Sequence, residues 1–538
     1  MPSEIFDPQE RAILACHFTD PDGDVFALVD LPEVVKGALF ARYSRSAKSL
    51  RRLFLDEFVG QLDAGSGQGP RGPVGVQRAE ALYQRVLSEY GDDSVAQLGG
   101  AHVAVEGASN LLTKQLEWGR LAAYLEQSTR YVAYDDQPDG RYRYVRDPEV
   151  LAGPHGRAYV ETLDAIFATY AALVPEVTRW VRARHPRDAD ASERVWRAAT
   201  RAKALDLLRG LLPAATTSNV GIFASGQAYE HLLLRLRASE LAEARACADR
   251  LLTELRKVIP SFLTRVDRPD RGGAWSAYLR ETRERSRTLA RELTARVAPD
   301  AAPEVTLVDW SPREPERAEV DLVTAILYSA TDLPENQLRH LVEGMPPSER
   351  RRAVDAYVGE RVNRRHKPGR AFERVWYRFD VLGDYGAFRD LQRHRMLTIE
   401  WQDLTTGHGY VTPPELHEAG VAERWHQAME RSALLYDELK ADHPVQAQYA
   451  VAFAYRVRYV LQLNARSAMH LIELRSTPQG HPTYRRVAQR MHQLIRDVAG
   501  HRLVADAMVH ADHGAAELER LEAERRAEAR RHTSASTR

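Results

Sequence analysis

The sequence predicts an α+β fold built as two similar halves. Three observations carry this reading. Apolar residues recur at three- and four-residue steps over long stretches, the pattern of helices with one buried face. Shorter runs alternate apolar or aromatic residues with others, the period of a half-buried strand. Two distant stretches also repeat one order of residue types, which points to an internal duplication.

Helical periodicity covers residues 83–90, 109–124, 201–212 and 227–258, and later 422–439 and 484–504. Strand-like alternation marks 100–106 and 375–382. Residues 64–75 are rich in Gly and Pro and read as a surface loop. Their Gly-x-Gly-x-Gly run lacks the preceding strand and following helix of a phosphate loop. Residues 298–318 carry several prolines and charges and read as a connection between halves. The tail at 517–531 alternates acids and bases around few apolar residues, the pattern of a solvated helix with a frayed end and little chemistry.

The repeat pairs Asn219-Val-Gly-Ile-Phe-Ala-Ser-Gly-Gln-Ala-Tyr-Glu-His231-Leu-Leu-Leu-Arg235 with Tyr459-Val-Leu-Gln-Leu-Asn-Ala-Arg-Ser-Ala-Met-His470-Leu-Ile-Glu-Leu-Arg475. Each places a His inside what reads as an apolar helix start, followed by Leu and Arg. Upstream, Tyr43-Ser44 and Tyr328-Ser329 hold similar places. The shared order sets the organisation as a first half at 1–300, a linker at 301–318, a second half at 319–513 and a charged tail at 514–538.

Composition narrows the function. Lys+Arg and Asp+Glu both number 75, so there is no net basic field to hold nucleic acid or an anionic membrane surface. Cys16 and Cys247 form no Cys-x-x-Cys metal pattern and no disulfide framework. The start lacks a signal-peptide profile, and no apolar run approaches the roughly 20 residues of a membrane span. The expectation is a cytoplasmic protein with no metal, nucleic-acid or membrane partner.

Arg393-His394-Arg395 is the sharpest short motif. Two arginines flanking a His suit an anion beside a flat ring, because a guanidinium is a planar fork; a solvated basic turn is the plain alternative. Downstream, Asn464, Arg466, His470 and Arg475 fall on one helical stretch, where they can share a face that borders a site. The plain alternative is a set of satisfied structural hydrogen bonds.

Arg-His-Arg, followed at a distance by Asn-Ala-Arg-Ser, His and Leu-Arg, resembles the flavin-dependent thymidylate synthases. That family's signature continues from Arg-His-Arg to Ser-x-Arg-Tyr. The second half departs there, with Trp401, Asp403, Thr405 and Thr406 in the later positions. The first half shows the opposite pattern. Glu126-Gln127-Ser128-Thr129-Arg130-Tyr131 matches the end of the signature, while Trp118-Gly119-Arg120 stands at Arg-His-Arg. The family's Arg before Leu-Pro is Arg209 with Leu212-Pro213, against Gln448 and Ala452 in the second half. A His that family members often carry after Ser-Val is Leu98 here.

The resemblance implies two tandem copies of a thymidylate synthase-like domain, each a mixed helix and antiparallel-sheet unit. It implies reductive methylation of dUMP to dTMP, with FAD as cofactor and NADPH and methylenetetrahydrofolate as co-substrates. In the family four subunits assemble and each site lies between neighbours, which implies a homodimer of this duplicated chain. Ser128, Arg130, Arg209 and Arg475 are implied to bind the nucleotide, and Arg393 and Arg475 to act on it. Glu126, Arg393, His394, Arg395, Asn464, Arg466 and His470 are implied to meet the flavin. The damage in the two halves is complementary: a pairing of first half with second half would build one complete site and one empty one, and random decay after duplication is the alternative source of this distribution. A non-catalytic flavin- or nucleotide-binding relative, and one-carbon transfer to another pyrimidine nucleotide, are the competing readings.

Overall fold

The computed structural model describes residues 4–59, 95–189, 191–515, 518 and 520–536. The expected loop at 64–75 and helix at 83–90 lie outside the described residues. The chain divides into two bodies, one of Met1–Glu106, Gln115–Glu126 and Asn219–Val297, the other of Gly107–Lys114, Gln127–Ser218 and Ala298–Arg538. The second body therefore takes in parts of both halves of the sequence.

Along the first half, helix α1 (Glu33–Tyr43) is followed by strand β1 (Gly100–Ser109), α2 (Asn110–Leu116), β2 (Ala122–Glu126), α3 (Gly156–Arg184) and α4 (Glu193–Leu208). A 3₁₀ turn at Arg209–Leu211 leads to β3 (Thr217–Ser225), α5 (Gly226–Arg237) and α6 (Ala242–Leu255). The second half runs β4 (Val305–Ser311), α7 (Pro315–Tyr328), β5 (Trp376–Asp384), α8 (Tyr385–Leu391), β6 (Thr398–Trp401) and α9 (Ala422–Lys440). It continues with a 3₁₀ turn at Gln446–Ala450, β7 (Arg456–Asn464), α10 (Ala465–Arg475) and α11 (Pro482–Asp497), and ends with α12 (Leu521–Ser536).

The duplication is plain in this order. Each half runs strand, helix, strand, then a helical segment (α3 and α4 in the first half, α9 in the second), 3₁₀ turn, strand, helix. The sheet orders match as well, β1-β3-β2 in one and β5-β7-β6 in the other, with β4 added beside β5. Tyr43 and Tyr328 both end their helices, with Ser44 and Ser329 as the capping residues. The fold is thus α+β in two repeats, as the periodicities predict.

Alternation explains the larger sheet. Val457, Tyr459, Leu461 and Leu463 of β7 are buried, and the residues between them are half-exposed. Antiparallel register sets Tyr377 against Leu463, Phe379 against Leu461 and Val381 against Tyr459 on one face. Such cross-strand apolar pairs fix the register, because a one-residue slip would turn them all to the other face.

The structure corrects several expected bounds. The helix over 109–124 stops at Leu116, and Ala122–Glu126 instead pairs antiparallel with β3. Gly119 weakens the helix between them. The helix over 227–258 is two helices, parted where Ser239 Oγ accepts from the Leu241 amide at 3.3 Å. The helix over 484–504 ends at Asp497, ahead of Gly500 at φ +70°. Within the expected connector, Val305–Ser311 is a strand paired with β5, and Pro315 opens α7 at a position that needs no amide donor. The repeated motif is a strand running into a helix rather than a helix start, with Ser225 and Asn464 as N-caps. No helix among the described residues is long and apolar enough to cross a membrane.

Inside the second body, equivalent pieces of the two halves meet. Pro213 bridges Ala452 antiparallel, the Ala214 amide donates to the Val451 carbonyl at 2.8 Å, and the Phe453 amide to the Leu212 carbonyl at 2.9 Å. The Asn110 amide donates to the Thr216 carbonyl and the Tyr385 amide to the Tyr455 carbonyl, the same bond made once per half. Counterparts facing each other antiparallel define a local two-fold relation.

Candidate functional site

The site grows from the turn after β2. The Ser128 hydroxyl accepts from the Arg130 amide at 3.3 Å, and the Ser128 carbonyl accepts from the Tyr131 and Val132 amides. This tight turn sends the Arg130 side chain inward, where the residue is 8% exposed. Its Nε and Nη2 fork onto the Asp206 carboxylate at 2.7 and 2.6 Å, and Nη1 donates to the Tyr484 hydroxyl at 2.8 Å.

Asp206 lies in the last turn of α4. Three residues on, Arg209 reaches the second half of the sequence, with Nη1 3.2 Å from Asp390 Oδ2. Asp390 lies in the last turn of α8, just ahead of the Arg-His-Arg run, and pairs with Arg393. Arg475 closes α10, donates from Nε to His394 Nε2 at 2.9 Å and lies 3.8 Å from Asp390 Oδ1. The Arg130 and Arg475 guanidiniums both sit on the Tyr484 ring, at 5.7 and 5.4 Å from its centroid. Residues from both halves therefore meet in one cluster within one body.

Charge dominates this cluster. Burial alone would raise the Asp206 carboxyl, but the Arg130 guanidinium overrides it and holds the group well below the usual range. Burial opposes Asp390 too, and Arg393, Arg209 and Arg475 outweigh it. Both aspartates are ionised. Burial, with Arg475, His470 and Arg393 adjoining, holds His394 neutral. His481 is kept neutral by burial and then Arg209, and its Nε2 shares a 3.0 Å hydrogen bond with the Asp206 carbonyl. Arg209 Nη2 is buried without a hydrogen-bond partner among the described residues. A buried unpaired donor beside surplus positive charge suits an anion.

The expected cofactor residues do not all join this cluster. The His470 ring packs edge-on against His394 at 5.4 Å, and burial with Lys367 and Arg364 lowers its pKa to about 4. Asn464 spends its Oδ1 on the Ser467 amide at 2.8 Å. Arg466 donates to the Pro368 carbonyl at 3.0 Å, away from Arg475. Nine residues are two and a half turns of helix, so Arg466 and Arg475 point to opposite sides and the single shared face is not formed. Arg395 is exposed, and Glu126 is buried at the end of β2 in the other body. In that body Arg235, the counterpart of Arg475 within one residue, packs on Trp118 at 5.2 Å, and Trp118 stands where the second half has Arg393.

Asp206, Asp390 and Tyr484 escaped the sequence reading, although the aspartates carry a signal. Asp206-Leu-Leu-Arg209 and Asp390-Leu-Gln-Arg393 place an acid three residues before each key arginine.

A family described as thymidylate synthase complementing protein matches the chain twice, over residues 41–261 and 307–500. A UPF0159 protein of Chlamydia pneumoniae is 40% identical over 499 residues, 92% of this chain and 93% of the relative. A UPF0159 protein of Thermoplasma acidophilum is 32% identical over 91% of this chain and 97% of its own length. A flavin-dependent thymidylate synthase of Clostridium tetani is 27% identical over 201 residues, 35% of this chain but 75% of that relative. A stretch that fills most of one protein and a third of the other is what a duplicated chain produces.

Proposed function

Because the chain belongs to the thymidylate synthase complementing protein family, we propose that it reductively methylates dUMP to dTMP at one composite site per chain. The observation that carries this is the meeting of Arg130 and Arg209 from one half with Arg393, His394 and Arg475 from the other. Each half lacks what the other supplies, and the assembled cluster sets four arginines against the ionised carboxylates Asp206 and Asp390.

In this reading Arg130, Arg209 and Arg475 bind the nucleotide phosphate, with Ser128 shaping the turn that aims Arg130. Arg393 lies at the exposed edge of the cluster and takes the uracil, where a cation favours charge gathering on the ring. Neutral His394 offers a flat face and an uncharged nitrogen, held in orientation by Arg475. The face around His470 brings Arg364, Lys367 and Arg466 together electrostatically, a donor set that fits the pyrophosphate of a flavin dinucleotide. Bound FAD, reduced by NADPH, supplies the hydride, and methylenetetrahydrofolate supplies the carbon. The chain's contribution is orientation, charge and exclusion of water. A homodimer of the duplicated chain would stand where the family has four subunits, and light scattering of the liganded protein measures this.

The test is an absorbance spectrum of the purified protein followed by addition of dUMP, NADPH and methylenetetrahydrofolate. A yellow protein that consumes NADPH and forms dTMP is expected. A protein that binds dUMP yet leaves NADPH and dUMP unchanged would establish a binding-only relative instead.

A further inference from the structure

The charged tail reads from sequence as a solvated helix, yet Arg520, immediately before that helix, is buried. Helix α12 is held against the start of α4. Arg525 Nη2 lies 2.9 Å from Asp188 Oδ2, and Glu528 Oε1 accepts from Ser192 Oγ and from Arg194 Nη2, each at 2.8 Å. These bonds set Arg520, the residue before α12, beside the composite site. Arg520 is 6% exposed, and its guanidinium lies 3.9 Å from the Tyr131 ring centroid. Tyr131 immediately follows Arg130.

Three features make this an uncomfortable place for a cation. Arg520 Nη1 is buried and has no hydrogen-bond partner among the described residues. The Arg520 carbonyl accepts from the Glu524 amide at 2.9 Å, so the residue sits at the positive end of the helix dipole. Burial depresses its pKa, Arg130 depresses it further, and Asp206 only partly offsets them. Across the cluster Arg130, Arg209, Arg393, Arg475 and Arg520 supply five guanidiniums, against the ionised carboxylates Asp206 and Asp390 and the buried Asp384, which faces Arg209 and whose pKa burial raises. Buried charges persist when they are paired, and this set is left short of negative charge. A doubly charged phosphate is the chemistry that offsets most of it.

We propose that Arg520 is a further phosphate ligand of the composite site, and that α12 is the strap that delivers it. The anion site follows from the charge surplus; that the anion is a nucleotide phosphate rests on the function proposed above. Bound phosphate takes the open Nη1 of Arg520 together with Arg130, and so ties the end of the chain to the occupied site. A nucleoside without phosphate gains nothing from Arg520.

The experiment is calorimetry on the full chain with three probes, inorganic phosphate, dUMP and deoxyuridine, comparing wild type with Arg520→Gln and Arg520→Lys. A charged hydrogen bond of this kind corresponds to about a 10- to 150-fold loss. Arg520→Gln is expected to weaken phosphate and dUMP by that factor and to leave deoxyuridine unchanged, with Arg520→Lys recovering part of the loss. If Arg520→Gln binds phosphate as wild type does, the assignment of Arg520 is overturned whatever dUMP does. If Arg520→Gln weakens phosphate while wild type ignores dUMP, Arg520 stands and the nucleotide reading falls. Wild type that binds neither anion overturns both. Hydrogen exchange on the wild type covers the case of a variant that does not fold. Phosphate should slow exchange across α12 and deoxyuridine should not, and unchanged exchange with phosphate bound refutes the strap.

Discussion

Arg130 and Arg475 come from different halves of the sequence, and the proposed site has both on one phosphate. The structure dictates how to test this. Arg130 forks onto Asp206 at 2.6 and 2.7 Å. Replacing Arg130 alone strands a buried carboxylate, which costs about 3–5 kcal/mol of stability and confounds a binding measurement. The useful perturbation is Arg130→Ala in an Asp206→Asn background, with Asp206→Asn alone as reference. Arg475→Ala is safer by itself, because Asp390 keeps Arg209 at 3.2 Å and its pairing with Arg393. Each lost guanidinium removes a charged hydrogen bond of about 1.5–3 kcal/mol, so dUMP affinity should fall about 10- to 150-fold per substitution. Because one anion is shared, the combined variant should depart from additivity by about 0.5–3 kcal/mol. Arg120→Ala, in the other body, should change affinity little, and calorimetry should count one nucleotide per chain. Strictly additive losses, two nucleotides per chain, or a loss from Arg120→Ala with none from Arg475→Ala would refute the shared site.

Other expectations use different readouts. Replacing His394 and Arg395 together by Ala should leave the circular dichroism unchanged and strip the flavin absorbance; wild-type flavin content in that variant removes both residues from the cofactor site. His470 has a folded pKa of about 4 against an ordinary value near 6.5. The unfolded chain then binds more protons between these values, so stability rises with pH from about 4 to 6.5. Urea midpoints measured across that window should show the rise, and His470→Gln should flatten it; an identical slope in the variant would rule out His470 as the source. Arg361 forks onto Glu473 with both residues buried, at 2.6 Å for each bond. Arg361→Met should cost about 3–5 kcal/mol in denaturant unfolding, and adding Glu473→Leu should restore much of it.

The duplication was legible because it preserves the order of residue types, and order survives where identity is lost. The strand portions of the repeat were not legible. Val460, Leu461 and Leu463 read equally as a helix start or a buried strand, and pairing with β5 decides between them. The arginines of the site could be named from local motifs, but their partners could not. Arg130 meets Tyr484 across 354 residues of sequence and Arg209 meets Asp390 across 181. No local pattern encodes such a meeting. The tail misled for a related reason: its composition is that of a solvated helix, and the burial of Arg520 comes from packing that composition does not report.

The antiparallel bridge between Pro213 and Ala452 has a genetic consequence. Where two copies of one polypeptide meet on a two-fold axis, a single codon writes both sides of the contact, and every substitution is felt twice. Here the two sides are written by separate codons. Pro213 can change while Ala452 does not, and Arg209 can be kept while Gln448 drifts. Each partner in the contact can mutate without changing the other. A change in one codon leaves the other side of the contact as it was, so such a chain can accumulate asymmetry that an assembly of identical subunits cannot.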